Sequence, residues 1–95
     1  MEKRLGIVAV IIEDSLIIPR INALFTEYSD LVEARLGLPM RRKGISLISL
    51  VVEGDTDRIG ALTGKLGRLP GIKVKSVLTL FREDHHGIEA SPDLH

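Results

Sequence analysis

The sequence predicts an α+β sandwich in which two helices cover one face of a four-stranded antiparallel sheet. Two observations lead to this prediction. Strand and helix patterns follow one another in the order β-α-β-β-α-β, and the first and third predicted strands are apolar at nearly every position. This order is a split β-α-β unit that occurs twice, which is the ferredoxin-like fold, and its right-handed crossovers place the first and third strands at the centre. The 95 residues provide one such domain.

The first strand and the first helix are predicted within residues 5–28. Residues 5–12 are an almost continuous apolar run rich in β-branched side chains, which is typical of a strand buried on both faces. Asp14 and Ser15 follow this run and offer a helix cap. Helical spacing then relates Ile21, Leu24, Phe25 and Tyr28. Because proline is tolerated in the first turn of a helix but not in its interior, Pro19 predicts that the helix begins near residues 15–18.

The second and third strands are predicted on either side of a polar turn. Residues 31–36 alternate between apolar and polar, which predicts a half-exposed strand with three inward side chains, Val32, Ala34 and Leu36. Pro39 lacks a backbone N–H, so this strand is expected at an edge of the sheet. The turn at residues 41–44 ends in Gly44, which is able to take a positive φ. The third strand is the second apolar run, residues 45–52.

The second helix and the fourth strand complete a predicted domain of residues 1–81. Helical spacing relates four further apolar side chains, Ile59, Leu62, Leu66 and Leu69. Pro70 and Gly71 stop the helix and turn the chain, because proline presets φ and glycine accepts a φ of the opposite sign. Residues 72–81 form the fourth strand. Beyond it the periodicity ends, so residues 82–95 are expected to be a mobile polar tail.

The two central strands are apolar at odd and even positions alike, although two helices can cover only one face of the sheet. An open face of this composition would be a large hydrophobic patch, which predicts a homodimer or homotetramer associated through the sheet. Edge-to-edge strand pairing is the competing geometry. The sequence does not tell which parity points outward, so the candidate interface includes both: Ile7, Val8, Val10, Ile48 and Leu50.

Composition excludes several classes of function. Thirteen basic and 13 acidic residues remove the simplest argument for nucleic-acid binding, and the central strands lack the aromatic side chains of an RNA-binding sheet. Without cysteine, thiolate metal sites and iron–sulfur clusters are excluded. Because every histidine lies at or beyond His85, no serine has a plausible histidine–acid partner. No catalytic residue, metal site or cofactor is therefore predicted, and the protein is expected not to be an enzyme.

Membrane attachment is not expected either. The longest apolar run is far shorter than the roughly 20 residues of a transmembrane helix. No small-residue cleavage site follows that run, so a signal peptide is not predicted and a cytoplasmic location is expected.

Three glycines, at positions 60, 64 and 67, lie along one side of the second predicted helix. Each costs helix stability, about 1 kcal/mol relative to alanine, which indicates that the missing side chains serve a purpose. One hypothesis is the close approach of a neighbouring helix or strand. The other is a small-molecule pocket against the bare backbone.

Three stretches of the chain resemble the iron-only hydrogenase system regulator family, whose members are small stand-alone proteins of ACT-like fold. They are residues 44–55, residues 59–67 with the spaced glycines, and residues 69–75 with the Leu-Pro-Gly-Ile turn. The match extends over about residues 2–80. The family is in turn similar to the C-terminal, nickel-sensing domain of the nickel-responsive transcriptional regulator.

This resemblance implies a non-enzymatic regulator that works as a homo-oligomer with an effector or a protein partner. The acidic end of the first strand, where ACT domains bind amino acids, and the glycine-spaced helix give four candidate ligand-binding residues: Asp14, Ser15, Gly60 and Gly64. The nickel sensor's three histidines and one cysteine have no counterparts before His85, so metal sensing is not carried over. No direct nucleic-acid site is implied. The alternative is a purely structural protein–protein interaction domain without a ligand.

Overall fold

The computed structural model describes residues 2–82, which form a single four-stranded antiparallel sheet with two helices. The strand order is β2-β3-β1-β4, so the predicted ferredoxin-like fold with central first and third strands is confirmed. The elements are β1 (Glu2–Ile12), α1 (Ile18–Glu27), β2 (Val32–Met40), β3 (Ile45–Gly54), α2 (Thr56–Gly67) and β4 (Ile72–Arg82). Residues 83–95 of the predicted tail lie outside the described residues, and the predicted domain boundary stays a prediction.

The core lies between the helices and the even-numbered side chains of β1 and β3. Val8 and Val10 are completely buried and pair in register with Leu50 and Ile48. The helices supply the other half of this core, chiefly Ile21, Phe25, Ile59, Leu62 and Leu66. Because successive side chains of a strand point to opposite faces, the odd-numbered side chains of both central strands point away from the helices.

The prediction for the second strand is wrong for two of its three inward residues. Val32 pairs with Val52 and packs against the core, but the register then shifts, and Ala34 pairs with Val51 on the other face. A bulge adds one residue to one strand, which moves every following side chain to the opposite face. Ala34 and Leu36 are consequently exposed on the face without helices.

Aspartates begin both helical segments by accepting backbone hydrogen bonds. The Asp14 carboxylate accepts the N–H two residues further on at 3.0 Å and starts a 3₁₀ turn at Ser15–Ile17, which continues into α1. Pro19 lies in the first turn of α1, as predicted. The Asp55 carboxylate accepts the N–H three residues further on at 2.8 Å and caps α2.

The turn into β4 requires glycine for two reasons. Gly71 has a φ of +78°, in the left-handed region that the sequence predicted for this turn. A Cβ at this position would lie 2.6 Å from the Cβ of Asp14. The Gly71 carbonyl also accepts the Glu13 N–H at 2.7 Å, so this turn ties the end of β1 to the start of β4.

Candidate interaction surface

The sheet face without helices, hereafter the open face, presents apolar side chains from all four strands. Strand alternation and the register place its apolar side chains together, namely Leu5, Ile7, Ala9, Ile11, Leu36, Leu38, Leu47, Val51 and Val77. The same register also places five polar or charged residues on this face, namely Ser49, Glu53, Lys73, Lys75 and Thr79. Ile7, near the middle of the sheet, is 49% exposed, whereas its neighbour Val8 is completely buried. The outer strands contribute Leu36 at 69% and Val77 at 75% exposure. The open face is therefore a contiguous hydrophobic patch.

A depression of about 350 Å³ lies in the open face and is almost wholly apolar. Its lining residues are Leu5, Gly6, Ile7, Val51, Val77 and Thr79. Gly6 allows β4 to lie close to β1, since a Cβ at this position would overlap the Val77 carbonyl oxygen. The depression has the chemistry to accept an apolar side chain.

The structure places only one of the five candidate interface residues on the open face. Ile7 lies there, whereas Val8, Val10, Ile48 and Leu50 belong to the core under the helices and are at most 7% exposed. Those four are corrected from interface to core, because the helices cover the even-numbered parity of the central strands. Sequence reasoning left Leu36, Leu38 and Val77 out of the candidate interface because they lie on the outer strands.

The four candidate ligand-binding residues do not form one site. Asp14 and Ser15 follow the C-terminal end of β1. Gly60 lies one turn into α2, which starts beside the other end of β1, where the Arg4 guanidinium donates to Thr56 at 3.1 Å. The Asp14 carboxylate is engaged as a cap. Ser15 lines a separate groove with Pro39, Arg41 and Ser46 among other residues, and that groove includes neither glycine.

The three glycines of α2 lie on an exposed flank of the helix. A Cβ added at Gly60, Gly64 or Gly67 would meet nothing within 4 Å. The hypothesis that a neighbouring helix or strand lies against this backbone is therefore wrong for the part of the chain that the structure describes. The flank is instead a smooth strip of helix backbone open to solvent.

A second concave region, hereafter the α1–α2 groove, lies between the two helices on the opposite side of the molecule. It has a volume of about 390 Å³, an apolar floor that includes Leu24 and Leu69, and charged walls formed by Arg20, Glu27, Lys65 and Arg68. Sequence reasoning missed this groove, because its charges come from two helices that are far apart in the sequence.

Lys65 spans the α1–α2 groove and joins the two helices. Its ammonium contacts the Glu27 carboxylate at 3.1 Å and lies 5.1 Å from the centre of the Tyr28 ring. Hydrogen bonds to Tyr28 and Glu27 raise the pKa of Lys65 above its ordinary value.

Within residues 2–82, no group of three or more metal-ligating side chains comes together. None of the described helices is both long and apolar enough to cross a bilayer. The candidate sites of the described chain are thus surfaces and grooves.

These features define a ferredoxin-like α+β domain whose sheet is covered by helices on one face only. The chain belongs to the TM1266-like family, described as "Iron-only hydrogenase system regulator, putative", whose model matches residues 4–76. The resemblance to the iron-only hydrogenase system regulators is thereby confirmed.

Several solved structures are similar to the chain. The uncharacterized protein TM1266 from Thermotoga maritima is 35% identical, with a TM-score of 0.76, and the match covers 80% of this chain and 96% of that one. A Thermus thermophilus protein described as "a putative PII-like signaling protein" is 15% identical with a TM-score of 0.49, covering 85% of this chain and 91% of that one. The PII-like protein CPII from Thiomonas intermedia is 12% identical with a TM-score of 0.45, covering 86% of this chain and 98% of that one. No curated protein sequence matches the chain.

Proposed function

We propose that this protein is a cytoplasmic, non-enzymatic regulatory module of an iron-only hydrogenase system. In this proposal it works as a homo-oligomer assembled through the open face, binds a small-molecule effector and acts through a protein partner. The family supports the regulatory role. The exposure of Ile7 in the middle of an apolar sheet is the observation that carries the proposed assembly.

The size of the apolar patch supports self-association. Six of its large side chains are between 36% and 75% exposed: Leu5, Ile7, Leu36, Leu38, Val51 and Val77. Complete burial of such a side chain contributes about 1.5–3 kcal/mol. About half of that gain remains available, so two subunits together could gain roughly 9–18 kcal/mol. Association itself costs roughly 4–15 kcal/mol, and the balance favours a dimer.

The two edges of the sheet are poor alternatives for pairing. In β2 the bulge after Val32 interrupts the regular ladder, and Pro39 supplies no N–H. In β4 the exposed Lys73 and Lys75 place charge on this edge strand, on the side of the open face. Charges, proline and bulges are the features by which edge strands avoid pairing with other chains. These features disfavour edge-to-edge assembly.

A purely structural interaction domain without a ligand is the second candidate function. The separation of Asp14 and Ser15 from Gly60 favours it, because the ligand site suggested by the resemblance is not assembled within one chain. A thermal-shift screen of amino acids, nucleotides and metal ions discriminates the two. A ligand selective for the native state must raise the melting temperature, whereas a structural domain would respond to none of these compounds.

The assembly is tested by sedimentation of the wild type and the variant Ile7→Lys. We expect the wild type to sediment as an oligomer at micromolar concentration, and the variant as a folded monomer, because a lysine in the contact would bury a charge. Ser76→Lys is the matched control: Ser76 is an exposed residue of the adjacent strand on the helix side of the sheet. A monomeric wild type, or an Ile7→Lys variant that keeps its oligomer size, would contradict the proposal.

A further inference from the structure

The arginines on the helix side of the sheet fall into two groups, according to whether the guanidinium contacts a partner. Arg4 donates to Thr56, and Arg35 donates to Asn22 and lies over the Phe25 ring. Arg58 forms two hydrogen bonds with Asp30. The lengths of these four hydrogen bonds lie between 2.8 and 3.1 Å. Arg20 and Arg68 differ. Within the described chain neither guanidinium has a hydrogen bond, an ion pair or an aromatic ring contact, and both line the α1–α2 groove.

The charge of the groove is consequently set by these two guanidinium groups. Glu27 and Lys65 form an ion pair at 3.1 Å and largely neutralise each other. Arg20 and Arg68 leave an uncompensated charge of about +2. A phosphate monoester carries about −1.5 to −2 at pH 7, and its oxygens match the planar fork of a guanidinium.

The apolar floor of the groove indicates that the bound phosphate carries an organic group. Leu24 is partly exposed and Leu69 is 9% exposed, and together with Ala23 they give the charged walls an apolar base. The volume of about 390 Å³ lies within the range of small-molecule sites. Inorganic phosphate would leave this base in contact with water, whereas an organic group attached to the phosphate would cover it.

We propose that the α1–α2 groove binds a small organic phosphate, with Arg20 and Arg68 holding the phosphate and Leu24 and Leu69 packing against the organic group. This inference rests on the proposed function, for which it names the chemical class of the effector. The groove lies on the helix side of the sheet, so ligand binding and contact through the open face use separate surfaces.

The experiment is a titration of the full-length protein with phenyl phosphate, followed by amide NMR shifts. We expect saturable shifts concentrated at residues 20–27 and 65–69. Arg20→Gln and Arg68→Gln should each weaken binding at least about tenfold, the loss expected for one charge-assisted hydrogen-bonded contact. Arg42→Gln, an exposed arginine outside the groove, removes the same charge and should stay within about twofold of the wild type.

Two further probes test the contribution of the phosphate and that of the organic group separately. Inorganic phosphate should bind more weakly than phenyl phosphate, and benzyl alcohol should produce no saturable shifts. The assignment would be overturned by shifts located elsewhere, by equal binding of both phosphates, or by equal losses in the Arg20, Arg68 and Arg42 variants. Failure to saturate with phenyl phosphate would also overturn it.

Sedimentation of the same samples distinguishes a failure of the groove assignment from a failure of the proposed function. An intact oligomer that does not bind phenyl phosphate overturns the groove assignment alone. A monomer that binds phenyl phosphate with the expected arginine dependence overturns the proposed assembly and leaves the groove assignment in place.

Discussion

The two faces of the central strands have nearly the same composition and opposite surroundings. On β1, Val8 and Val10 lie under the helices and are completely buried, whereas Ile7 on the other face is 49% exposed. Hydrophobicity alone therefore does not identify the core of this protein. What distinguishes the faces is the pair of helices, which the crossovers bring to one side of the sheet.

The outer strands complete this contrast. On the helix side, Arg35 of β2 donates to Asn22 and lies 5.0 Å from the centre of the Phe25 ring, so a charged residue covers the margin of the core. On the open face the neighbouring side chains are Leu36 and Leu38, which are 69% and 51% exposed. At the β2 margin the helix side is thus charged and the open face is apolar, which suits the open face to contact with another apolar surface.

The largest expected effect comes from placing lysine on each face in turn. Val8→Lys should prevent folding, because a buried unpaired ammonium costs several kcal/mol and a small domain is stable by only about 5–15 kcal/mol. Ile7→Lys should retain a native circular dichroism spectrum at the same temperature. A folded Val8→Lys variant would show that the faces are assigned the wrong way round.

Truncating one leucine on each side of the sheet gives the next largest difference. Leu62→Ala, at a completely buried position of α2, should lower the free energy of unfolding by about 2–5 kcal/mol. Leu36→Ala, on the open face, should change it by less than about 1 kcal/mol in dilute samples, since most of the side chain is already in water. Urea unfolding measures both variants. A large loss in dilute Leu36→Ala would mean that this side chain is covered within its own subunit.

Gly71, in the turn that joins the helix layer to β4, should tolerate substitution less well than Gly37 in the edge strand β2. Gly71→Ala forces a side chain into the left-handed region, which costs about 1–2 kcal/mol, and its Cβ would also displace Asp14. Gly37→Ala in β2 is the control, because a Cβ there meets nothing within 4 Å and should change stability little. Thermal unfolding of both variants measures the difference, and equal melting temperatures would contradict this account of the turn.

The smallest effect, with the opposite sign, is expected on the exposed flank of α2. Gly64→Ala should raise stability by about 1 kcal/mol, the difference in helix propensity, because the new methyl group enters open space. Its oligomer size in sedimentation should equal that of the wild type if assembly uses the open face alone. A smaller oligomer would instead place the glycine flank in an interface.

Much of the architecture could be predicted from local patterns. Continuous apolar runs at residues 5–12 and 45–52 identified the central strands, and Pro39 identified an edge strand. Gly44 and Gly71 take the positive φ expected of their turns. These features were predictable because strand period, helix period and turn chemistry are each encoded by residues close in the sequence.

The bulge and the groove could not be predicted in the same way. The alternation from Val32 to Leu36 looks regular, yet the pairing partner on β3 shifts by one residue within it and reverses the face. Arg20 and Arg68 lie 48 positions apart in the chain and come together only because the two helices pack side by side. Neither feature has a local signal.

By itself the sequence determined the order of the elements, the central strands and the apolar character of both sheet faces. Only the tertiary structure decided which face is core, which side chains of β2 are exposed and which charges share a groove. The physical reason is that a period of two divides each strand into two sets of side chains without saying which set is covered. Coverage is a property of long-range packing, and in this chain two helices cover the even-numbered set of the central strands.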